Sequence, residues 1–220
     1  MMKSLLCKLS VSLLFPNRSI KSILSGYFGE SNLVLNMIRP KKGQPGGWTE
    51  VFKYCKSSEF EEAFEANDYI IIQIDTDVSN QKGYQVSPLD ENGNLLDTKE
   101  FIAKVKEKLI SLIGKYFYRK NAERIIFAIA VHSIECWLLP LYVEENKKSA
   151  IDSCFEKLAE AISKASEKSP SKKLAKKSKY YQKVSLPYSR KEILLNHYSL
   201  NPSFKIFIEE LEAIKIPIND

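Results

Sequence analysis

The sequence predicts an α/β fold: a mostly parallel sheet of about four strands between helices, with a helical C-terminal addition. Three observations predict it. Two short runs of apolar residues, YIIIQID and IIFAIA, are too hydrophobic to leave one strand face in water, which is how strands buried on both sides of a parallel sheet read. Strand-like runs alternate with helix-like ones along the first two thirds of the chain, the pattern of βαβ units. The last third carries helical periodicity without a further strand.

LSVSLLF (residues 9–15) is the expected first strand, and RSIKSILSGYF, with Ile20, Ile23, Leu24 and Phe28 on one face, is the helix after it. NLVLNMI (32–38) reads as a second strand. It stops at RPKKGQPGGW, whose prolines and glycines continue neither regular structure. SSEFEEAFEAN is a short acidic helix, and DYIIIQID is the third strand, rich in the β-branched and aromatic residues that pleated surfaces accommodate. A turn-rich loop, VSNQKGYQVSPLDENGNLLD, leads to TKEFIAKVKEKLISLIGKYF, amphipathic through Phe101, Ile102, Val105, Leu109, Leu112 and Ile113. RIIFAIAVHS is the fourth strand, and IECWLLPLYV begins a helix or turn with Trp137, Leu138 and Leu139 as core residues.

Beyond it come a helix in SCFEKLAEAISKA, the lysine-rich tract SEKSPSKKLAKKSKYYQKVSLPYSRK, and a last helix opened by Asn201 as cap and Pro202 at its first position. The expected division is a core over 1–145 and an extension over 146–220 packing on it.

Of 220 residues, 44% are hydrophobic and 27% charged, which excludes disordered, collagen-like and coiled-coil classes. A net charge of +6 suits a polyanionic partner without requiring one. The 4 cysteines lie far apart, without a CxxC pair, and only 2 histidines accompany them; reduced thiols are expected, and neither a zinc cluster nor a disulfide framework. MMKSLLCKLSVSLLF has the lysine and apolar run of a signal peptide. Lys8 interrupts the run and no small-residue cleavage site follows, so a cytoplasmic protein is expected. No stretch is long and apolar enough for a membrane span.

The chemistry concentrates in IDTDVS. Asp75 and Asp77 stand at the carboxyl end of the third strand, where open parallel sheets bind ligands. Extended backbone puts both side chains on one side, where their charges repel unless a cation intervenes. A hard divalent ion, Mg²⁺ with Mn²⁺ as substitute, takes such oxygens while keeping waters for phosphate exchange. Turn chemistry is the competing reading, with one aspartate capping and the other solvated. Glu135 follows the fourth strand and approaches the pair if that strand is parallel and adjacent to the third. A glutamate in the first turn of a helix also favours the helix dipole with no other role. His132 reads as a packed histidine.

Basic segments are candidates for nucleic-acid contact: Arg39, Lys41 and Lys42 beside glycines, and Lys172, Lys173, Lys176, Lys177 and Lys179 in the C-terminal tract, with Tyr180, Tyr181 and Tyr188 interleaved to stack on unpaired bases. A solvated, lysine-rich excursion is the alternative for the tract.

The strand ending in IDTDVS, the later strand leading into SIECWLLP, and NPSFKIFIEEL near the end together resemble the TOPRIM-type proteins of bacterial anti-phage defence loci, related in fold to the overcoming-lysogenization-defect nucleases. The resemblance spans most of the chain, though only the D-x-D and I-E-x-W-L-L segments are specific. It implies an acidic cluster binding Mg²⁺, phosphodiester chemistry on DNA or RNA, and a possible partner ATPase. Family members place a glutamate directly after the first strand. Here Phe15, Pro16, Asn17, Arg18 and Ser19 follow, with no acid before Glu30. A metal-dependent nuclease or nucleic-acid sensor is therefore the first reading, and a catalytically inactive subunit that binds a partner ATPase or nucleic acid is the second. A small-molecule phosphotransfer enzyme is a third reading, which would need a nucleotide-sized pocket.

Overall fold

The computed structural model describes residues 9–14, 18–29, 33–39, 46–143, 152–165 and 178–214. Four strands, β1 (Leu9–Leu14), β2 (Leu33–Arg39), β3 (Tyr69–Asp75) and β4 (Ile125–Ala130), form one sheet in the order β2-β1-β3-β4. Every pairing is parallel. The helices are α1 (Arg18–Phe28), α2 (Trp48–Cys55), α3 (Ser58–Glu62), α4 (Thr98–Ile113), α5 (Lys115–Asn121), α6 (Glu135–Leu138), α7 (Cys154–Ala165), α8 (Ser178–Ser185), α9 (Lys191–His197) and α10 (Pro202–Ala213). The predicted α/β sheet, flanked by helices and followed by a helical C-terminal region, is the observed architecture.

The isoleucine run of β3 divides by parity. Ile71 joins the hydrophobic cluster containing α1 and the C-terminal helices, while Ile70, Ile72 and Ile74 join the cluster beneath α2 and α4. In β4, Ile126, Ala128 and Ala130 face the first cluster, and Ile125, Phe127 and Ile129 the second. Successive side chains on a strand point to opposite faces, so a strand covered on both sides needs apolar residues at both parities.

Several boundaries differ from expectation. Gly114, at φ 96°, breaks the predicted helix over 98–117 into α4 and α5, a backbone conformation that glycine adopts without a Cβ penalty. Helix α2 was not anticipated. Its sequence WTEVFKYC places Trp48, Val51, Phe52 and Cys55 at helical spacing, a signal masked by the glycines just before it. The fourth strand ends at Ala130, so His132 lies beyond the sheet and not inside the strand.

Two further corrections concern the extension and the thiols. Tyr181 and Tyr188 are buried in the core with Val184, packed toward α1, so they are not surfaces for base stacking. Tyr188 donates a hydrogen bond to the Trp137 carbonyl oxygen at 2.7 Å. Cys136 and Cys154 form a disulfide, contrary to the expectation of reduced thiols; α7 folds back against α6 and brings together two cysteines 18 positions apart. Cys55 is a free, buried thiol. The boundary expected near residue 145 falls outside the described residues. Beyond it, α10 packs on β4 and α4, stacking Phe204 and Phe207 on Trp137 at centroid distances of 4.9 and 5.2 Å. No helix among the described residues is long and apolar enough to cross a membrane.

Candidate functional site

The carboxyl ends of β3 and β4 are stitched together by the backbone beyond them. β3 and β4 pair in register, with Asp75 opposite Ala130. Past that pair, the Thr76 amide donates to the carbonyl oxygens of Ala130 and His132 at 3.2 and 2.9 Å, and the Asp77 amide donates to the His132 carbonyl at 2.8 Å. The His132 amide returns a bond to Thr76 Oγ1 at 2.8 Å. To accept these bonds the chain turns sharply at His132, whose φ of 65° is uncommon for a residue with a side chain. Such conformations persist where surrounding hydrogen bonds over-determine them, and they cluster at ligand sites.

Asp75 is half-buried at the rim and accepts a hydrogen bond from Gln73 Nε2 at 2.9 Å; Asp77, two residues on, is exposed. Glu135 opens α6 and is 2% exposed. Its Oε1 accepts a hydrogen bond from the Tyr181 hydroxyl of α8. Burying a carboxylate is costly unless donors replace its water, and the phenol is one such donor. Burial first, then the hydrogen bond and charge of Glu135, then the charge of Asp75, push the Tyr181 phenol well above its ordinary range. Tyr84 is raised by burial and then by Asp75 and Asp77. Asp75 therefore acts electrostatically on two phenols, one beside its D-x-D partner and one beside Glu135. The Tyr180 hydroxyl, near Glu135, is buried without a hydrogen-bond partner among the described residues.

Asp75 ends β3, Asp77 lies two residues beyond it and Glu135 follows β4, but among the described residues these three carboxylates do not converge into a group able to hold one ion. Asp75 and Asp77 alone offer hard oxygen donors of the type Mg²⁺ takes, and that ion commonly binds through one or two carboxylates with waters filling the remaining positions. Asp75 and Asp77 are reachable from solvent, whereas Glu135 is sealed beneath Tyr181. Among the described residues, the ligand-type side chains that do converge are others: atoms of His132, Cys136 and Cys154 lie within 4.8 Å of one another. That group has soft donors, and its two sulfurs are joined to each other.

The expected nucleic-acid contacts fare differently. The Arg39 guanidinium pairs with Glu59, donates to the Ile38 carbonyl oxygen at 3.0 Å and lies 4.8 Å from the Tyr54 ring centroid, so it clamps the end of β2 to α2 and α3. Lys41, Lys42, Lys172, Lys173, Lys176 and Lys177 lie outside the described residues, and the Lys179 side chain is not described. Sequence reasoning missed the contribution of Tyr181 to the site. Its neighbourhood of lysines disguised a residue whose spacing to Val184 and Tyr188 marks a buried helical face.

Comparison with protein-family models, with curated proteins and with solved structures returns no match.

Proposed function

We propose that this chain is a cytoplasmic TOPRIM-type protein of a bacterial phage-defence system: a magnesium-dependent nuclease or nucleic-acid sensor centred on Asp75, Asp77 and Glu135. The observation that carries this reading is the placement of all three carboxylates outside the carboxyl ends of the adjacent parallel strands β3 and β4, where open α/β sheets bind ligands. Asp75 and Asp77 would hold Mg²⁺, with Mn²⁺ able to replace it. When bound, the ion would supply charge stabilisation at a phosphoryl group and lower the pKa of a water.

The chain's own groups divide the remaining work. Gln73 orients the Asp75 carboxylate through its 2.9 Å hydrogen bond. The amides of Thr76 and Asp77 anchor the strand end to the His132 carbonyl, so the D-x-D backbone is fixed before any ligand arrives. Tyr181 holds the Glu135 carboxylate by one oxygen and shields it from water.

The second reading is a catalytically inactive subunit that binds nucleic acid or a partner ATPase. Two observations favour it: no acid occurs between the end of the first strand and Glu30, and Glu135 is sealed from solvent.

Calorimetric titration of Mg²⁺ and Mn²⁺ into the wild type and into an Asp75→Asn, Asp77→Asn double variant, followed by a cleavage assay on DNA and RNA in the same buffer, tests both. Metal binding confined to the wild type, with cleavage, is the expected result. Metal binding without cleavage selects the inactive subunit or sensor, and the absence of any metal binding by the wild type overturns the site.

A further inference from the structure

We propose that the cleft formed by α4, α5 and residues 85–87 binds the phosphate backbone of a single-stranded nucleic acid. This rests on the preceding reading for the class of partner, but not on the metal site. The cleft measures about 910 Å³ and lies open to solvent. Lys104, Lys108, Lys115 and Arg119 line it, against the single carboxylate of Glu107. None of these four cations makes an ion pair among the described residues. Some lysines elsewhere are matched, as in Lys106 with Glu210 and Lys164 with Glu160.

The spacing of the cations is informative. Lys104 and Lys108 are four residues apart on α4, as are Lys115 and Arg119 on α5. Like charges at that spacing repel and weaken the helix that carries them. A bound polyanion reverses the sign of this contribution, since each neutralised phosphate also releases condensed counterions.

Helix α5 supplies the aromatic component that the C-terminal tract does not. It has no buried residue, and Tyr116 is 72% exposed with Lys120 Nζ 4.5 Å from its ring centroid. Tyr118 lines the cleft itself. Tyr118 is half-buried against Phe127, so the exposed Tyr116, on α5 beside the cleft, is the ring available to stack on an unpaired base while the cleft's cations neutralise the phosphates. A duplex keeps its bases stacked internally and leaves Tyr116 without a role. One wall of the cleft, Gln85–Val86–Ser87, belongs to the loop that leaves Asp77, so a strand seated there contacts the segment that carries the D-x-D pair into α4.

The test is fluorescence anisotropy with labelled single-stranded DNA, single-stranded RNA and duplex DNA, in EDTA, over a series of salt concentrations. It uses the full chain and compares wild type, Lys108→Ala with Arg119→Ala, Lys108→Arg with Arg119→Lys, and Tyr116→Ala. Single strands should bind more tightly than duplex. The double alanine variant should lose about 1.4 from the slope of log K against log salt, near 0.7 for each single-strand phosphate contact. The charge-conserving variant should keep the wild-type slope, and Tyr116→Ala should weaken single-strand binding about tenfold through lost stacking. DNA-selective or RNA-selective binding each supports the cleft and names the strand. An unchanged slope in the double alanine variant overturns it, as does tighter binding of phosphatidylserine vesicles or of an acidic peptide than of either strand. The Asp75→Asn, Asp77→Asn variant should bind as the wild type does in EDTA, so failure of the metal site leaves this result intact and failure of the cleft leaves the metal titration intact.

Discussion

The hydroxyl of Tyr181, on α8, donates a hydrogen bond to Oε1 of Glu135, on α6, 46 positions earlier in the chain. The contact ties the C-terminal helices to the turn that follows β4. It also sets a tyrosine from a lysine-rich segment against one of the candidate carboxylates.

Removing that hydroxyl should loosen Glu135. Tyr181→Phe keeps the ring in the core but deprives a buried carboxylate of a donor, at a cost of about 1–3 kcal/mol. Urea denaturation should show a lower midpoint with an unchanged slope. If the acidic cluster holds a divalent ion, Mg²⁺ affinity in the same variant should change as well, which a purely structural contact would not produce.

Alkaline pH should unfold the protein through its buried phenols. Tyr84, Tyr181 and Tyr188 are raised, chiefly by burial. Tyr27 is pushed up to about 12 by burial, with Glu212 and Tyr198 adding to it. Below the ordinary phenol value of about 10, both folded and unfolded chains keep these protons and stability does not depend on them. Above it, the unfolded chain releases protons that the folded chain retains, so stability falls with rising pH. The Tyr27 share is lost between about 10 and about 12. Phenolate absorbance from the buried set should rise only together with loss of helical circular dichroism. One smooth titration at the ordinary value would refute this.

Gly26→Ala should destabilise despite the better helix former. Alanine gains about 1 kcal/mol over glycine in a helix interior. At Gly26, however, a Cβ would lie 1.9 Å from the Tyr188 carbonyl oxygen, a backbone atom that cannot rotate aside. Helix α1 must then back away from the turn Leu186–Ser189, and overpacking of this kind costs about 1–3 kcal/mol or more. A lowered thermal midpoint in the variant is the expected outcome; a raised one would show that the two segments are not in contact.

The disulfide has its own signature. Cys136 and Cys154 are both fully buried and close a loop with a sequence separation of 18, for which chain entropy assigns about 3 kcal/mol. Thiol counting on denatured protein should find two more thiols after reduction than before. The Cys136→Ala, Cys154→Ala variant should match reduced wild type in stability and should not respond to a reducing agent. Equal thiol counts before and after reduction would show the pair unlinked.

What the sequence by itself determined is the set of elements whose signal is local. Parity along YIIIQID and IIFAIA, the heptad-like spacing of α4, the Asn201 cap and the position of Asp75 and Asp77 at a strand end are all written within a few residues. The Asn201 side chain does accept from the amides of Ser203 and Phe204, at 3.1 Å each. Hydrophobic periodicity and capping chemistry depend on neighbours in sequence, so one chain suffices to read them.

Only the tertiary structure decided what depends on distant pairings. The order β2-β1-β3-β4 made β4 the parallel neighbour of β3, so that Asp75 ends one strand and Glu135 follows the strand adjacent to it. The return of α8 buried Tyr181 and Tyr188, which local composition had placed among solvent-exposed lysines. The fold of α7 onto α6 joined two cysteines that spacing alone would leave reduced. In each case burial overrode local composition, because a phenol or a thiol takes its character from the elements packed over it.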